Sequence, residues 1–147
     1  MYANAKSILL VDDDEDDMLL FQEALKKVDK TISLTYADCC DSAMKLLHAA
    51  ASLPDIIFMD INMPKITGLE CLVLMRKSAL LKKVPIVIYT TSKRDSDVTD
   101  AKVLGANAFF TKPVSFEMMI EILGFILRGI PLQKNDRHTV IELFGLF

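Results

Sequence analysis

The segment LLVDDDEDDML (residues 9–19) places six consecutive acidic side chains directly after an apolar run. The run SILLV, residues 7–11, is aliphatic on both faces, as in a strand buried between two layers. After the acids, Phe21 and Leu25 lie at helical spacing, which predicts a helix over residues 16–28. The acidic run therefore marks the turn at which a buried strand ends and a helix begins.

The rest of the chain repeats this strand–helix unit. Further short apolar runs predict strands at residues 32–37, 54–60, 85–90 and 108–111. Helical patterns follow at Met44–Leu47–Ala51, at residues 69–77, at Val98–Ala101–Leu104 and at residues 115–128, and Asp38 or Asp41 is expected to cap the second helix. Alternation of this kind predicts an α/β fold, a doubly wound five-stranded parallel sheet with helices on both faces.

Composition indicates one folded domain with a local concentration of acid. The chain has 147 residues, of which 52% are hydrophobic and 25% charged, a globular balance. Its formal charge is −3, although the acidic run alone contributes −6, so the remainder is slightly basic. This pattern favours a cation site, and without a basic stripe we expect no nucleic-acid binding.

Cysteine usage and apolar stretches predict the compartment. Cys39, Cys40 and Cys71 form no CxxC pair, and because adjacent cysteines rarely bridge each other we expect reduced, buried thiols. The first residues, MYANAKS, contain no apolar signal core. No apolar stretch approaches the roughly 20 residues of a membrane span. We therefore predict a cytoplasmic protein without a membrane segment.

Polar side chains stand at the ends of four of the predicted strands. Asp12 and Asp13 follow the first strand, Asp60 ends the third, Thr90 ends the fourth and Lys112 follows the fifth. Ligands bind to open parallel sheets outside the carboxyl ends of the strands, so we expect these five groups to meet at one edge.

The chemistry of these groups is that of phosphoryl transfer. Crowded carboxylates are tolerated around Mg²⁺, which takes oxygen ligands and binds through a few carboxylates plus a phosphate. A lysine and a threonine hydroxyl can both contact phosphoryl oxygens. Asp60 stands alone at its strand end, facing the acid pair, and is the best candidate to form an aspartyl phosphate.

Four blocks of the chain, ILLVDDDE, DIIFMDINMPKITGLE, PIVIYTTS and GANAFFTKP, resemble the signature blocks of the receiver domain of bacterial response regulators. They occur in the family's order and spacing over about residues 6–128. The resemblance implies a flavodoxin-like (βα)5 fold with strand order 2-1-3-4-5, and a receiver domain over residues 1–128. Among receivers, the chain resembles the small ones that serve cyanobacterial phytochromes.

The same resemblance implies the roles of the acidic residues. Asp60 would accept a phosphoryl group from the phosphohistidine of a sensor histidine kinase or phosphotransfer protein. Asp13 and Asp60, with the backbone carbonyl of Asn62, would ligate Mg²⁺, and Asp12 would contribute through a bound water.

It also implies the roles of residues on the last two strands. Thr90 would contact the phosphoryl group and report its arrival, and Lys112 would pair with a phosphoryl oxygen. Phe109 falls at the family's switch aromatic and is expected to point outward, and Pro113 would follow a cis peptide bond. Thr91 is bulkier than the residue usual at its position, which puts access to the phosphoryl group in question.

Two other interpretations of these residues were weighed. Asp12, Asp14, Asp16 and Glu23 match a calcium loop at four positions, but Asp17 replaces its required glycine. Each site residue also has a structural explanation, such as helix capping by a strand-end aspartate. Such explanations are reasonable singly and fail to account for five matched positions together.

The remaining 19 residues are too few for an output domain. We therefore expect a stand-alone receiver that signals by phosphorylation-dependent protein contacts and catalyses only its own phosphorylation and dephosphorylation. The alternative is a constitutive interaction module whose phosphorylation is incidental. A magnesium-dependent phosphatase is disfavoured, because DINMP lacks a second aspartate two residues after the nucleophile.

The C-terminal extension, residues 129–147, contains a second apolar pattern. Val140, Ile141, Phe144 and Phe147 lie at helical spacing, and the helix predicted at residues 115–128 is apolar on more than one side. Exposed apolar patches usually mark interfaces, so we expect a homodimer through the last helix and this extension. The open alternative is that the extension folds onto its own domain.

Overall fold

The computed structural model describes residues 4–133 and 139–145, in which strands and helices alternate. The strands are β1 Ser7–Val11, β2 Ser33–Ala37, β3 Ile56–Met59, β4 Ile86–Thr90, β5 Ala108–Thr111 and β6 Ile141–Leu143. The helices are α1 Glu15–Val28, α2 Cys40–Ala49, α3 Gly68–Lys77, α4 Asp95–Val103 and α5 Phe116–Arg128. Within the described ranges no helix is long and apolar enough to cross a membrane.

The sheet has the order β2-β1-β3-β4-β5-β6. The first five strands pair in parallel, which confirms the predicted doubly wound sheet and its 2-1-3-4-5 order. A sixth strand, β6, pairs antiparallel with β5 at the edge of the sheet and was not predicted. Because all the helices belong to βα units, the carboxyl ends of β1 to β5 lie at one edge, as the site requires.

Two apolar layers enclose the sheet because its central strands are apolar on both faces. On one side, Phe21 of α1 and Leu123 of α5 pack with Leu10 and Phe58 of the strands. The helices α2, α3 and α4 cover the opposite face with a separate cluster that includes Phe109. The central strands are thereby packed on both faces, and this packing positions the strand ends at which the site residues stand.

The start of α1 divides the acidic run into residues that follow β1 and residues that belong to the helix. Asp14 caps α1, since its Oδ1 accepts from the backbone N–H groups of Asp16 (2.9 Å) and Asp17 (3.2 Å).

The expected cap of α2 is wrong. Neither Asp38 nor Asp41 serves: Cys39 occupies the N-cap position, where its sulfur accepts from the N–H of Ser42 at 3.4 Å.

The expectation of three reduced thiols is also wrong. Cys40 and Cys71 form a disulfide that joins α2 to α3, and both residues are buried. They are 31 positions apart in sequence but adjacent in space, because both helices cover the same face of the sheet. Cys39 is the free cysteine and is half-buried.

The helical pattern expected in the extension is not formed. Val140 and Phe144 flank strand β6, and the backbone N–H of Thr111 donates to the Val140 carbonyl at 2.9 Å. The N–H of Phe144 donates to the Asn107 carbonyl, also at 2.9 Å. An otherwise open edge of β5 supplies backbone partners that outweigh the weak helical spacing. Phe147 lies outside the described residues.

Candidate phosphoryl-acceptor site

The structure brings together four of the five groups that the sequence placed at strand ends, namely Asp12, Asp13, Asp60 and Lys112. Asp12, Asp13 and Asp60 each offer a carboxylate oxygen, and these oxygens all lie within 4.8 Å of one another. The Lys112 ammonium lies between two of them, at 2.9 Å from Asp12 Oδ2 and 3.2 Å from Asp60 Oδ2. Thr90 ends the neighbouring strand and is buried.

Lys112 has a third carboxylate partner that sequence reasoning missed. Its Nζ lies 2.7 Å from Asp17 Oδ2, and only 8% of the lysine side chain is exposed. Burial alone would lower the pKa of Lys112, but the bonds from Asp17 and Asp12 and the charge of Asp60 outweigh it and hold the pKa above its usual value. These contacts therefore favour the charged form of the lysine. The position of Asp17 in the sequence gave no signal of this contact.

Asp12 is fully buried, and one of its two carboxylate oxygens, Oδ2, accepts two hydrogen bonds. Its Oδ1 accepts from the backbone N–H of Asp14 at 3.0 Å. Its Oδ2 accepts from Lys112 and also from the hydroxyl of Tyr89, a residue of the fourth predicted strand to which the sequence assigned no role. Burial, and then the charge of Asp12, raise the pKa of Tyr89. The phenol therefore stays protonated and donates a hydrogen bond to Asp12.

Asp60 is slightly more exposed than Asp12, but it is still buried, with 4% of its surface exposed. Its Oδ1 accepts from the backbone N–H of Asn62 at 3.3 Å. Burial raises the pKa of Asp60, and the charge of Asp12 adds to this, while Lys112 opposes both. The carboxylate is therefore poorly solvated and has one strong positive partner, as suits a nucleophile.

The loop after β3 explains the glycine in the DINMPKITG block. A Cβ at Gly68 would lie 1.9 Å from the backbone oxygen of Asp60, so only glycine permits α3 to start there. Lys65 in the same loop has a φ of 66°, a left-handed conformation uncommon outside glycine. The loop is thus folded tightly against the peptide that carries the candidate nucleophile.

Thr90 is held by the residues on either side of the cleft. Its Oγ1 accepts from the Asn62 side-chain amide at 3.2 Å and from the Ser92 backbone N–H at 3.3 Å. The Asn62 amide also donates to Thr91 Oγ1 at 3.3 Å. The two accepted bonds use the lone pairs of the Thr90 oxygen and leave its hydroxyl proton for an incoming acceptor.

An open cleft of about 500 Å³ lies beside Asp60 and Lys112. Its lining residues are Asp13, Asp14, Glu15, Asp17, Asp60, Asn62, Thr91 and Lys112. Three convergent carboxylate oxygens beside open space suit a hard divalent cation, which prefers oxygen ligands and retains several waters. The predicted metal residues Asp12, Asp13 and Asp60 therefore fit such an ion.

Two expectations from the family resemblance are wrong. Phe109 does not point outward: its ring is fully buried in the cluster that Val140 and Phe144 cover. The bond before Pro113 is trans, as are the other peptide bonds of the described residues, in keeping with the ordinary preference of X–Pro bonds.

Comparison with known proteins agrees with this geometry. The sequence profile described as "Response regulator receiver domain" matches residues 8–124. Response regulator Rcp1 of Synechocystis sp. is 32% identical over 136 residues, covering 86% of this chain and 92% of Rcp1. The phosphorylated cyanobacterial phytochrome response regulator RcpA superposes with a TM-score of 0.77 at 30% identity, over 88% of this chain and 99% of RcpA. The Mn²⁺-bound form of Rcp1 gives 0.76 at 32% identity, over the same shares.

Replacement of Asp60 by Asn should stabilise the protein when divalent cations are chelated. The change removes a buried charge whose burial cost and repulsion from Asp12 outweigh its attraction to Lys112. We expect a gain of about 0.5–2 kcal/mol in the free energy of unfolding at neutral pH, measured by denaturant titration.

The sign of this effect has a pH signature. The folded-state pKa of Asp60 is raised, so the wild type loses stability relative to Asp60→Asn as the pH rises through that pKa, and the gap closes in acid. The control is Asp41→Asn, whose side chain is 73% exposed and should change little. A less stable Asp60→Asn at neutral pH would contradict this view of the site.

Proposed function

Because this chain belongs to the family of response regulator receiver domains, we propose that it accepts a phosphoryl group on Asp60 in a Mg²⁺-dependent reaction and signals through protein partners. Receiver domains are signalling modules and not enzymes with external substrates. The observation that carries the proposal is the Lys112 ammonium at 3.2 Å from Asp60, beside the carboxylates of Asp12 and Asp13. The candidate nucleophile Asp60 therefore lines an open cleft and is already paired with the Lys112 ammonium.

In the proposed reaction a carboxylate oxygen of Asp60 attacks the phosphorus of a phosphohistidine. The O–P bond forms as the N–P bond breaks, and the imidazole nitrogen leaves with the electron pair of that bond. Lys112 exchanges part of its contact with Asp60 for a phosphoryl oxygen, and the Thr90 hydroxyl donates to another. Phosphoryl transfer asks mainly for positioning and charge neutralisation, which these residues supply.

The proposed cation is Mg²⁺. Asp13 and Asp60, with the backbone carbonyl of Asn62, would bind it, and Asp12 would do so through a water. When bound, the ion neutralises charge on the carboxylates and on the phosphoryl oxygens. Support comes from the convergent carboxylates and from relatives: Rcp1 is known in a Mn²⁺-bound form and RcpA in a phosphorylated form.

We propose that Thr90 and Phe109 carry the response to phosphorylation. The Thr90 oxygen accepts from the Asn62 amide at 3.2 Å, and its hydroxyl proton can donate to a phosphoryl oxygen. Phe109 lies on the adjacent strand β5, paired with Ile88 of β4, and packs in the cluster that Phe144 covers. Movement at the end of β4 can therefore reach the C-terminal extension through packed side chains.

The proposed donor is a sensor histidine kinase or a phosphotransfer protein in the cytoplasm, where ATP-dependent kinases operate. The formal charge of −3 and the acidic edge disfavour nucleic acid as a partner. A reducing compartment acts on exposed disulfides first. The Cys40–Cys71 bridge is buried and so is protected from the thiol pool while the domain stays folded.

We further propose that residues 1–128 form the phosphoryl-accepting domain and that residues 129–147 join α5 in a homodimer interface. The supporting observations are exposed apolar side chains in the extension: Ile130 is 52% exposed and Leu143 41% exposed. Strand β6 is also the last strand of the sheet that the described residues form, and its outer edge is where a second copy would pair.

Beryllofluoride, a phosphoryl mimic, tests the phosphoryl-acceptor proposal without a kinase. With Mg²⁺ it should shift the backbone amide resonances of Asp60, Thr90 and Lys112 in the wild type. Asp60→Asn should show no such shift, because the mimic needs the carboxylate oxygen. The Asp41→Asn variant, with the same chemical change at an exposed site, should respond as the wild type does.

The same experiment separates the alternative of a constitutive interaction module. A wild type that shows no shift, or a shift that persists in Asp60→Asn, would refute phosphoryl acceptance. Shifts confined to the cleft, with unchanged affinity for a partner in the presence of the mimic, would support the constitutive module instead.

Static light scattering at micromolar concentration tests the homodimer. We expect the mass of two chains for the wild type and of one chain for Leu143→Glu, because a charge on the outer side of β6 opposes pairing. Glu142→Gln, at the neighbouring exposed position, is the control and should remain dimeric. A wild type with the mass of one chain would remove the proposal.

A further inference from the structure

We propose that Tyr89 is a positioning residue of the phosphoryl-acceptor site, which orients Asp12 toward the cation and holds Lys112 in place. This inference rests on the function proposed above. Tyr89 is fully buried at the end of β4, and its hydroxyl donates to Asp12 Oδ2. Its ring lies beneath the Lys112 ammonium, with Nζ 4.7 Å from the ring centroid. The side chain thus contacts both an acid and the base of the site.

Counting lone pairs on Asp12 shows what the Tyr89 hydroxyl does. Each carboxylate oxygen accepts about two hydrogen bonds. Oδ2 is filled by Tyr89 and by Lys112 at 2.9 Å, whereas Oδ1 accepts only the Asp14 N–H at 3.0 Å among the described contacts. The remaining lone pair on Oδ1 is left for the cation or for a water bound to it. Without the hydroxyl, Oδ2 would have a free lone pair and the carboxylate could turn.

The hydroxyl is itself held by the core. The Tyr89 ring contacts Phe21 of α1, with centroids 5.8 Å apart, and Phe110 of β5, with centroids 5.7 Å apart. Strand β4 is paired on both sides, with β3 and β5. Rigid packing of this kind fixes a partner of a metal-binding carboxylate, and such partners tune metal affinity as well as geometry.

The cation–π contact adds a second positioning effect. Lys112 is drawn by three carboxylates, those of Asp12, Asp17 and Asp60, and its ammonium has to stay within reach of Asp60. The Tyr89 ring face, with its centroid 4.7 Å from Nζ, favours the position that the ammonium holds among these carboxylates. Tyr89→Phe removes the hydroxyl and keeps the ring, so the two effects can be separated.

The test is a calorimetric Mg²⁺ titration of the wild type, Tyr89→Phe and Tyr36→Phe. We expect Tyr89→Phe to bind Mg²⁺ about tenfold more weakly, the usual effect of losing a hydrogen-bond partner of a metal-binding group. Tyr36→Phe is the matched control: its hydroxyl is buried and has no hydrogen-bond partner within the described part of the chain. Its Mg²⁺ affinity should equal that of the wild type.

A second readout needs no Tyr89 variant. Mg²⁺ binding should perturb the near-ultraviolet absorption of tyrosine in the wild type and equally in Tyr36→Phe, because the hydroxyl of Tyr89 bonds to a carboxylate beside the ion. A merely structural tyrosine would change the stability of the fold but neither the Mg²⁺ affinity nor this spectrum.

The outcomes distinguish this inference from the proposed function. Mg²⁺ binding by the wild type with an affinity of Tyr89→Phe within twofold, or with a silent tyrosine spectrum, overturns the role of Tyr89 alone. A wild type that binds no Mg²⁺ overturns both. Tenfold weaker binding by Tyr89→Phe, with an unchanged Tyr36→Phe, supports the positioning role.

Discussion

The ammonium group of Lys112, held between the carboxylates of Asp12, Asp17 and Asp60, is the contact that allows several acids to share one edge of the sheet. Removing the positive partner from a buried cluster of acids leaves their charges uncompensated and costs about 3–5 kcal/mol, so this lysine is a structural part of the site. It neutralises only part of the negative charge, because Asp13 stays exposed at the cleft beside it. The convergent carboxylates of Asp12, Asp13 and Asp60 therefore still fit a divalent cation.

Much of this site could be predicted because its residues stand at the ends of strands that the sequence pattern identifies. Parallel strands end at a common edge, so a polar residue at each strand end identifies the site, and this placed Asp60 and Lys112 together correctly. The roles of Tyr89 and Asp17 could not be predicted in this way. The phenol reaches the edge from within the core layer and Asp17 from a helical turn, and both contacts depend on packing that spacing does not encode. A tyrosine in an otherwise aliphatic strand, directly before Thr90, was the available signal.

The sequence was less informative about the edges of the fold. Hydrophobic periodicity is weak over a three-residue strand, so β6 could be read as a helical pattern, and the open edge of β5 decided the outcome. The disulfide between Cys40 and Cys71 depends on two helices meeting on one face, which pairwise spacing cannot indicate. Val140 and Phe144, on either side of β6, pack against the cluster that contains Phe109. Residues beyond α5 therefore alter the surroundings of a residue proposed to respond to phosphorylation.

The most direct test of the account is peptide mapping by mass spectrometry after reaction with acetyl phosphate, a small acyl phosphate donor. With Mg²⁺ present, the account predicts one added phosphoryl group, located on Asp60 and released by hydroxylamine as expected of an acyl phosphate. With the cation chelated, the modification should fall to background. A phosphoryl group on another residue, or equal modification of Asp60 with and without Mg²⁺, would contradict it.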